Sequence, residues 1–208
     1  MTFIEIVVFG KNRGLKNQLS NIQIQNLTIP NIVTYLTLTF SLVGIFLLLN
    51  GHVLIWALLL WTACDIFDTL DGYIAKKFNI FSPLGADLDS LVDVIAFLIP
   101  PFLIALQSED NFLFVASFIF VFSGIYRLAR FNVVKNSPGE VVGLQASLAA
   151  HLIYLAVLIG ISSQYLSIIY ILLSLLMISP IKSGGRSSLY LTAFLMALNT
   201  IIIGLKLF

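Results

Sequence analysis

The sequence predicts an all-α protein, a polytopic transmembrane helical bundle, and three observations lead to that fold class. Of the 208 residues, 59% are hydrophobic and only 10% are charged, whereas an ordinary soluble domain has roughly 25% charged residues. The mean hydropathy is +1.03, and the apolar residues form long runs separated by short polar segments. So few charges cannot cover the surface of a soluble protein, and the composition also excludes disordered and fibrous classes.

The apolar runs are long enough, or nearly so, for helices that cross a bilayer, which takes about 20 residues. We predict six core helices and a seventh C-terminal span. The runs cover residues 31–50, 53–75, 88–106, 112–132, 144–162, 165–181 and 188–206. Residues 1–29 mix polar and apolar side chains, which predicts a cytoplasmic or interfacial segment before a membrane domain at 30–208.

The distribution of basic residues predicts the orientation of the spans. Ten of the eleven lysines and arginines lie in the N-terminal segment or near alternate loops on one side, and Lys206 is the exception. By the positive-inside rule that side is cytoplasmic, so we expect a multi-pass integral membrane protein. The net charge of +1 argues against nucleic acid as a partner, and the single cysteine, Cys64, excludes an intrachain disulfide.

Six of the ten acidic residues are aspartates between positions 65 and 93, near the cytoplasmic ends of the second and third predicted helices. Asp68 and Asp71 are three residues apart, and Asp89 and Asp93 are four apart, so each pair shares a helix face. Two antiparallel helices joined by a short loop can bring the pairs together. Gathered carboxylates repel one another unless cations lie between them, and such oxygen ligands suit Mg²⁺, Mn²⁺ or Ca²⁺.

The residues around the aspartates have a fixed pattern. Gly72 and Ala75 are small, so a bulky polar group can approach the helix backbone beside them. The full string is Asp68-x2-Asp71-Gly72-x2-Ala75-Lys76-x8-Gly85-x3-Asp89-x3-Asp93. It closely resembles the motif of the CDP-alcohol phosphatidyltransferase family, in which the position of Lys76 is normally arginine. The stretch Pro30-Asn31-x2-Thr34 also resembles a motif of that family, and the resemblance covers about residues 27–155.

Two further stretches resemble the family members that make phosphatidylserine. They are Leu88-Asp89-Ser90-Leu91-Val92-Asp93 and Tyr126-Arg127-Leu128-Ala129-Arg130-Phe131-Asn132. Gln145 departs from that group, which usually has proline there. The resemblance implies transfer of a phosphatidyl group from CDP-diacylglycerol, embedded in membrane lipid, to the hydroxyl of L-serine, with release of CMP. It also implies an active site at the cytoplasmic face and a possible homodimer.

The resemblance further implies a role for each motif residue. A divalent metal, Mg²⁺ or Mn²⁺, is expected on Asp68, Asp71, Asp89 and Asp93, and Asp93 is also expected to be the catalytic general base. The CDP-lipid is expected at Thr34, Asp68, Gly72, Ala75, Lys76 and Gly85. Because the serine carboxylate would need a cation, the acceptor is expected at Arg127, Arg130 and Asn132.

The sequence leaves other interpretations open. Choline or a polyol phosphate as acceptor would keep the reaction class, and Tyr126 and Phe131 offer aromatic faces to the quaternary ammonium of choline. A divalent-cation transporter would also use an acidic cluster, although such sites usually lie near mid-bilayer in repeated helices. The two arginines could simply anchor a helix end at the membrane surface.

Several polar residues receive no functional role from the sequence. His151 has no partner at a metal-ligand spacing and is predicted to be structural, as is His52. Asp65 lies one helical turn deeper in the membrane than Asp68, and Asp87 is expected to point away from Asp89. The C-terminal helix adds little to the resemblance.

Overall fold

The computed structural model describes residues 28–51, 54–80, 83–135, 143–181 and 186–207. Within these ranges the chain forms seven helices and no strand, which confirms the all-α membrane bundle. The helices are α1 (Ile29–Leu49), α2 (Leu54–Phe78), α3 (Pro83–Asp93, a π-helical turn Val94–Leu98, and Ile99–Leu106), α4 (Asn111–Lys135), α5 (Ala146–Leu158), α6 (Ser163–Ile178) and α7 (Arg186–Leu207). The segment predicted to be interfacial lies almost wholly outside the described residues, so the domain division stays a prediction.

The helices differ in how fully they match the predicted spans. Four stretches of the described chain are long and apolar enough to cross a bilayer: Ile29–Leu49, Leu84–Leu106, Asn111–Val133 and Leu189–Leu207. Helix α2 has 25 residues but carries three aspartates and two lysines. Helices α5 and α6 have 13 and 16 residues and are shorter than predicted, with lengths of about 20 and 24 Å at 1.5 Å per residue.

Helix α5 lies at the centre of the bundle. Ten of its 13 residues are buried, as expected for a helix that is apolar on every side. It packs against α7, α6 and α3, while α1 packs most extensively against α2, and α4 against α6. The α6 residue Tyr170 donates a hydrogen bond of 2.7 Å to the carbonyl of Pro101 in α3. These contacts hold α3 between the outer helix pairs.

The connection between α2 and α3 is shorter than the sequence suggests. Helix α2 continues to Phe78, so Lys76 and Lys77 lie in its last turn, where positive charge interacts favourably with the helix dipole. Helix α3 already begins at Pro83, and proline suits the first turn of a helix. Asp89 therefore lies well inside α3 instead of at its start.

Close packing of α1 against α2 depends on a glycine. A Cβ atom on Gly44 would lie within 3 Å of the indole ring of Trp61. The ring is fully buried, and its Nε1 donates a hydrogen bond of 3.2 Å to the carbonyl of Ser41. The absence of a side chain at Gly44 thus lets α1 and α2 approach along the segment that leads to the aspartates.

The opposite end of the bundle is organised by Asp110, which precedes α4. Its Oδ1 accepts hydrogen bonds from the backbone N–H groups of Phe112 at 2.8 Å and Leu113 at 3.2 Å, which are otherwise unpaired donors at a helix start. A hydrogen bond with Ser163, at the start of α6, and these backbone bonds lower the pKa of Asp110. Asp110 therefore joins the first turns of α4 and α6.

Candidate active site

Three aspartates from two helices meet at one point. One carboxylate oxygen from each of Asp68, Asp71 and Asp89 lies within 4.8 Å of the other two. The first two share a face of α2, and the antiparallel course of α3 brings the third against them. Asp71 is buried, and the other two are partly exposed.

Asp93 lies beside this group, one turn after Asp89 on the same face of α3. Its carboxyl is within hydrogen-bonding reach of Asp68 and interacts electrostatically with Asp89 and Asp71. The guanidinium of Arg127, on α4, is the positive charge that acts on both Asp93 and Asp68. The site thus contains four carboxyls in close proximity, with one buried cation on the Asp93 side.

The donor atoms of this cluster fit a divalent cation. All of them are carboxylate oxygens, which are the ligands that Mg²⁺, Mn²⁺ and Ca²⁺ prefer. Like charges this close cannot all stay ionised without a counter-charge. Asp68, Asp71 and Asp89 have mutual distances that fit one shared ion. Asp93 is not part of this group of three, so its place among the metal ligands stays a prediction.

Helix α1 reaches the cluster through Thr34. The Thr34 hydroxyl lies 2.6 Å from Oδ2 of Asp71, to which it can donate, and 3.1 Å from the carbonyl of Pro30. Both Thr34 and Asp71 are buried. The sequence assigns Thr34 to the CDP-lipid, and in the structure it also orients one of the clustered carboxylates.

A cleft of about 250 Å³ opens beside the aspartates, just below the range of roughly 300–1,000 Å³ that is typical of small-molecule sites. Its walls come from α1, α2, α3 and α4. The lining residues are Pro30, Asn31, Thr34, Asp71, Gly72, Ala75, Lys76, Ile80, Gly85, Ala86, Asp89 and Phe131. Five of the six residues predicted to bind the CDP-lipid are among them, and the sixth, Asp68, lies in the adjoining cluster.

The cleft has space where the sequence predicts close approach of a ligand. A Cβ atom on Gly72 would meet no heavy atom within 4 Å, so this side of the helix faces open space. Lys76 is exposed at the same cleft. Asn31 and Phe131 also line the cleft. The sequence predicts no site role for Asn31, and it offers Phe131 only as an aromatic face for a choline acceptor. Asn31 belongs to the Pro30-Asn31-x2-Thr34 motif at the start of α1, and this is the sequence feature that could have predicted it as a site residue.

The two arginines of α4 have different surroundings. Arg127 is buried, with 7% of its surface exposed, and its guanidinium carbon lies 5.3 Å from the centre of the Phe131 ring. Its Nε is buried with no hydrogen-bond partner among the described residues. Together with its electrostatic interaction with Asp93, this places a cation beside the aspartate cluster.

Arg130 instead binds the end of a neighbouring helix. Its guanidinium donates hydrogen bonds of 3.2 Å to the carbonyls of Met177, Ile178 and Ser179, where α6 ends. Carbonyls at a helix C-terminus lack partners within the helix and attract positive charge. A Cβ on Gly143, which has a φ of +85°, would clash with the Met177 carbonyl and Arg130. These contacts support a structural role, and a role of Arg130 in acceptor binding stays a prediction.

Asn132, the third residue assigned to the acceptor, pairs with Ser90. The Asn132 Nδ2 donates to Ser90 Oγ at 2.9 Å, and the Ser90 hydroxyl lies 3.1 Å from Asn132 Oδ1. Ser90 directly follows Asp89, so this contact ties α4 to the aspartate helix. It also joins the two stretches that resemble phosphatidylserine-forming proteins.

A second polar group lies deeper in the bundle, around His151, for which no partner is predicted from the sequence. The Nε2 atom of this fully buried residue lies 3.5 Å from Oδ2 of Asp65, which is also buried. Asn199 of α7 donates a hydrogen bond of 3.2 Å to the His151 carbonyl. The group therefore links α2, α5 and α7 one turn below Asp68, while Asp87 is exposed as expected.

Comparisons with known proteins agree with these features. The family model of CDP-alcohol phosphatidyltransferases matches residues 27–203. A CDP-diacylglycerol–serine O-phosphatidyltransferase of Methanocaldococcus jannaschii is 36% identical over 189 residues, covering 88% of this chain and 87% of the relative. A protein of the same name from Helicobacter pylori is 34% identical over 168 residues, covering 74% of this chain and 70% of the relative.

A third relative is an archaetidylserine synthase of Methanothermobacter thermautotrophicus, which is 31% identical over 162 residues, or 75% of this chain and 69% of the relative. The family depends on divalent metal, and the aspartate cluster provides residues that could bind it. The family match extends from α1 into α7 and so includes every helix that forms the cleft. This multi-pass membrane protein belongs to the CDP-alcohol phosphatidyltransferase family.

Proposed function

We propose that this protein transfers the phosphatidyl group of CDP-diacylglycerol to the hydroxyl of L-serine. The observation that carries the proposal is the meeting of Asp68, Asp71 and Asp89 in one group, with the buried Arg127 interacting electrostatically with Asp93 next to it. An acidic cluster that suits a divalent metal is therefore close to the guanidinium of Arg127, which suits the carboxylate of serine. The names of the relatives support both the lipid donor and the amino acid acceptor.

In the proposed reaction the serine hydroxyl oxygen forms a new bond to the phosphorus of the phosphatidyl group. The bond from that phosphorus to the oxygen of CMP breaks, and CMP leaves with the electron pair. Asp93 accepts the hydroxyl proton, as a general base must lie within hydrogen-bonding reach of its nucleophile. Arg127 holds the serine carboxylate by a charge-assisted hydrogen bond.

Mg²⁺ or Mn²⁺ is the proposed cofactor, held by Asp68, Asp71, Asp89 and Asp93. When bound, such an ion would neutralise the negative charge of the pyrophosphate. Thr34 orients Asp71, and Gly72, Ala75 and Gly85 leave room for the cytidine diphosphate. Lys76 contributes positive charge at the same cleft but lacks the bidentate geometry of arginine.

The location of the site fits a lipid substrate. The cleft lies at the end of α2 that carries Lys76 and Lys77, and the basic residues predict that this end is cytoplasmic. We therefore propose that the acyl chains stay in the cell membrane while serine arrives from the cytoplasm. A homodimer is a further proposal, which crosslinking of the protein in membranes would test.

The alternatives receive less support. A choline acceptor would need the rings of Tyr126 and Phe131. The guanidinium carbon of Arg130 lies 5.6 Å from the centre of the Tyr126 ring, and that of Arg127 lies 5.3 Å from the centre of the Phe131 ring. A choline ammonium would meet these positive charges. A cation transporter is disfavoured by the family match and by a cleft whose glycines and lysine suit a phosphorylated ligand.

The deciding experiment measures CMP release from CDP-diacylglycerol by the purified protein in lipid vesicles. L-serine, choline, glycerol 3-phosphate and no acceptor are compared at the same concentration of Mn²⁺. We expect rapid release only with serine. Efficient release with choline or glycerol 3-phosphate but not serine would overturn the acceptor, and no release with any acceptor would overturn the proposed activity.

A further inference from the structure

The hydrogen-bond pattern of α3 changes immediately after Asp93. The N–H of Ile99 donates to the carbonyl of Val94, five residues earlier, instead of to Ile95, four residues earlier. In a pattern of bonds five residues apart, the Ile95 carbonyl would accept from the N–H of residue 100. That residue is Pro100, and proline has no N–H. The carbonyl of Ile95 is therefore left without a donor from its own helix.

Ser41 of α1 provides the missing donor. Its hydroxyl donates a hydrogen bond of 2.9 Å to the Ile95 carbonyl, and the side chain is fully buried. The hydroxyls of three threonines on α1 instead lie within hydrogen-bonding distance of the carbonyl four residues earlier in α1: Thr34, Thr37 and Thr39. The Ser41 hydroxyl thus reaches α3, whereas the Thr34 hydroxyl also reaches Asp71 of α2.

This π-helical turn decides which residues of α3 face the aspartates of α2. A π-turn acts like one inserted residue, and one residue corresponds to about 100° of rotation around the helix. Counted back from the buried Pro101, a continuous α-helix would place Val94, Ser90 and Asp87 at the positions around the helix where the π-turn places Asp93, Asp89 and Ala86. In agreement, Asp87 is exposed and Asp89 meets the aspartates of α2.

We propose that Ser41 is a positioning residue for the metal-binding carboxylates. By donating to Ile95 it stabilises the π-turn, which directs Asp89 and Asp93 toward the carboxylates of α2. Pro100 contributes by withholding the N–H that a continuous α-helix would use. The inference rests on the proposed function, because it concerns how strongly the same aspartates bind their metal.

The test compares Mn²⁺ binding by the purified wild type and Ser41→Ala, measured from the electron paramagnetic resonance signal of free Mn²⁺. We expect Mn²⁺ binding to weaken roughly tenfold in Ser41→Ala, since residues that orient metal ligands typically contribute 10- to 100-fold in affinity. CMP release should need correspondingly more Mn²⁺, with an unchanged KM for serine. Ser41→Thr keeps the hydroxyl and should restore binding. Thr37→Val, which removes a hydroxyl bonded within α1, is the matched control and should bind as the wild type does.

A second measurement reports the rotation of α3 and needs no purified protein. Ser90→Cys and Asn132→Cys, combined with Cys64→Ala, place two thiols where α3 and α4 are now hydrogen-bonded. Oxidation in membranes should link them efficiently with Ser41 present and several-fold less with Ser41→Ala. Unchanged crosslinking together with unchanged Mn²⁺ binding in Ser41→Ala would overturn the role of Ser41. A wild-type protein that binds no Mn²⁺ would overturn the proposed metal site instead.

Discussion

The Thr34 hydroxyl of α1 lies 2.6 Å from Oδ2 of Asp71 in α2. This contact makes the first helix part of the acidic site, although the two residues are 37 positions apart. A buried carboxylate needs its lone pairs satisfied, and a hydroxyl fixed on a neighbouring helix restricts its orientation. The metal site therefore depends on packing of α1 as well as on the aspartates themselves.

Thr34→Val should weaken the site because it removes this hydrogen bond without changing the volume of the side chain. A hydrogen bond to a charged group contributes about 1.5–3 kcal/mol, so we expect CMP release at limiting Mn²⁺ to fall roughly tenfold or more. Thr39→Val is the control, since the exposed Thr39 hydroxyl bonds only to Tyr35 among the contacts described. Equal rates for the two variants would contradict an orienting role for Thr34.

Asp93→Asn should separate the base from the metal ligands. The amide keeps the shape of the side chain but cannot accept the serine proton. We expect turnover to fall by about 10²-fold or more, in line with general-base contributions of about 10²–10⁴. Binding of CDP-diacylglycerol, measured by equilibrium dialysis against lipid vesicles, should weaken far less. Near-normal turnover would show that another group takes the proton.

Removal of divalent metal should abolish activity. With excess EDTA we expect no CMP release, and Mg²⁺ or Mn²⁺ added back should restore it, because the clustered carboxylates otherwise repel one another. Asp89→Asn removes one of the three closest ligands and should raise the metal concentration needed for half-maximal rate. Activity that survives complete chelation would refute the metal site.

The two arginines of α4 should have different mutant phenotypes. Arg127→Ala removes the cation beside Asp93, and we expect the KM for serine to rise about ten- to a hundredfold, using about 1.4 kcal/mol per decade. The KM for CDP-diacylglycerol should change little. If serine kinetics are unaffected, Arg127 does not bind the acceptor.

Arg130→Ala should instead lower the thermal stability. It leaves three carbonyls at the end of α6 without their donor, so we expect the midpoint of thermal unfolding to fall by several degrees. A KM for serine that rises as in Arg127→Ala, with unchanged stability, would favour the sequence-based prediction that Arg130 binds the acceptor.

His151→Leu should destabilise the protein by leaving Asp65 buried without its partner. A buried polar group left without a polar neighbour lowers stability, whereas replacing both partners by apolar residues is often neutral. The double variant Asp65→Leu with His151→Leu should therefore unfold at a higher temperature than His151→Leu alone. Additive losses in thermal unfolding would show that the two residues do not interact.

The sequence alone determined the fold class and most of the acidic site. Hydropathy predicts membrane helices because each helix must satisfy its backbone hydrogen bonds internally, so long apolar runs have few other solutions. The spacing of Asp68 with Asp71, and of Asp89 with Asp93, fixes a shared face within each helix because the α-helical period is local. The space beside Gly72 and Ala75 was also predictable, because the small size of both residues is read directly from the sequence.

Only the tertiary structure decided the features that depend on contacts between distant segments. It directed Arg130 to the carbonyls of α6 and gave His151 a partner in Asp65. It also brought the Ser41 hydroxyl to the carbonyl of Ile95 in the π-turn of α3. Local periodicity cannot reveal these contacts, because a polar side chain in a membrane bundle bonds to whichever partner the packed helices bring within about 3 Å.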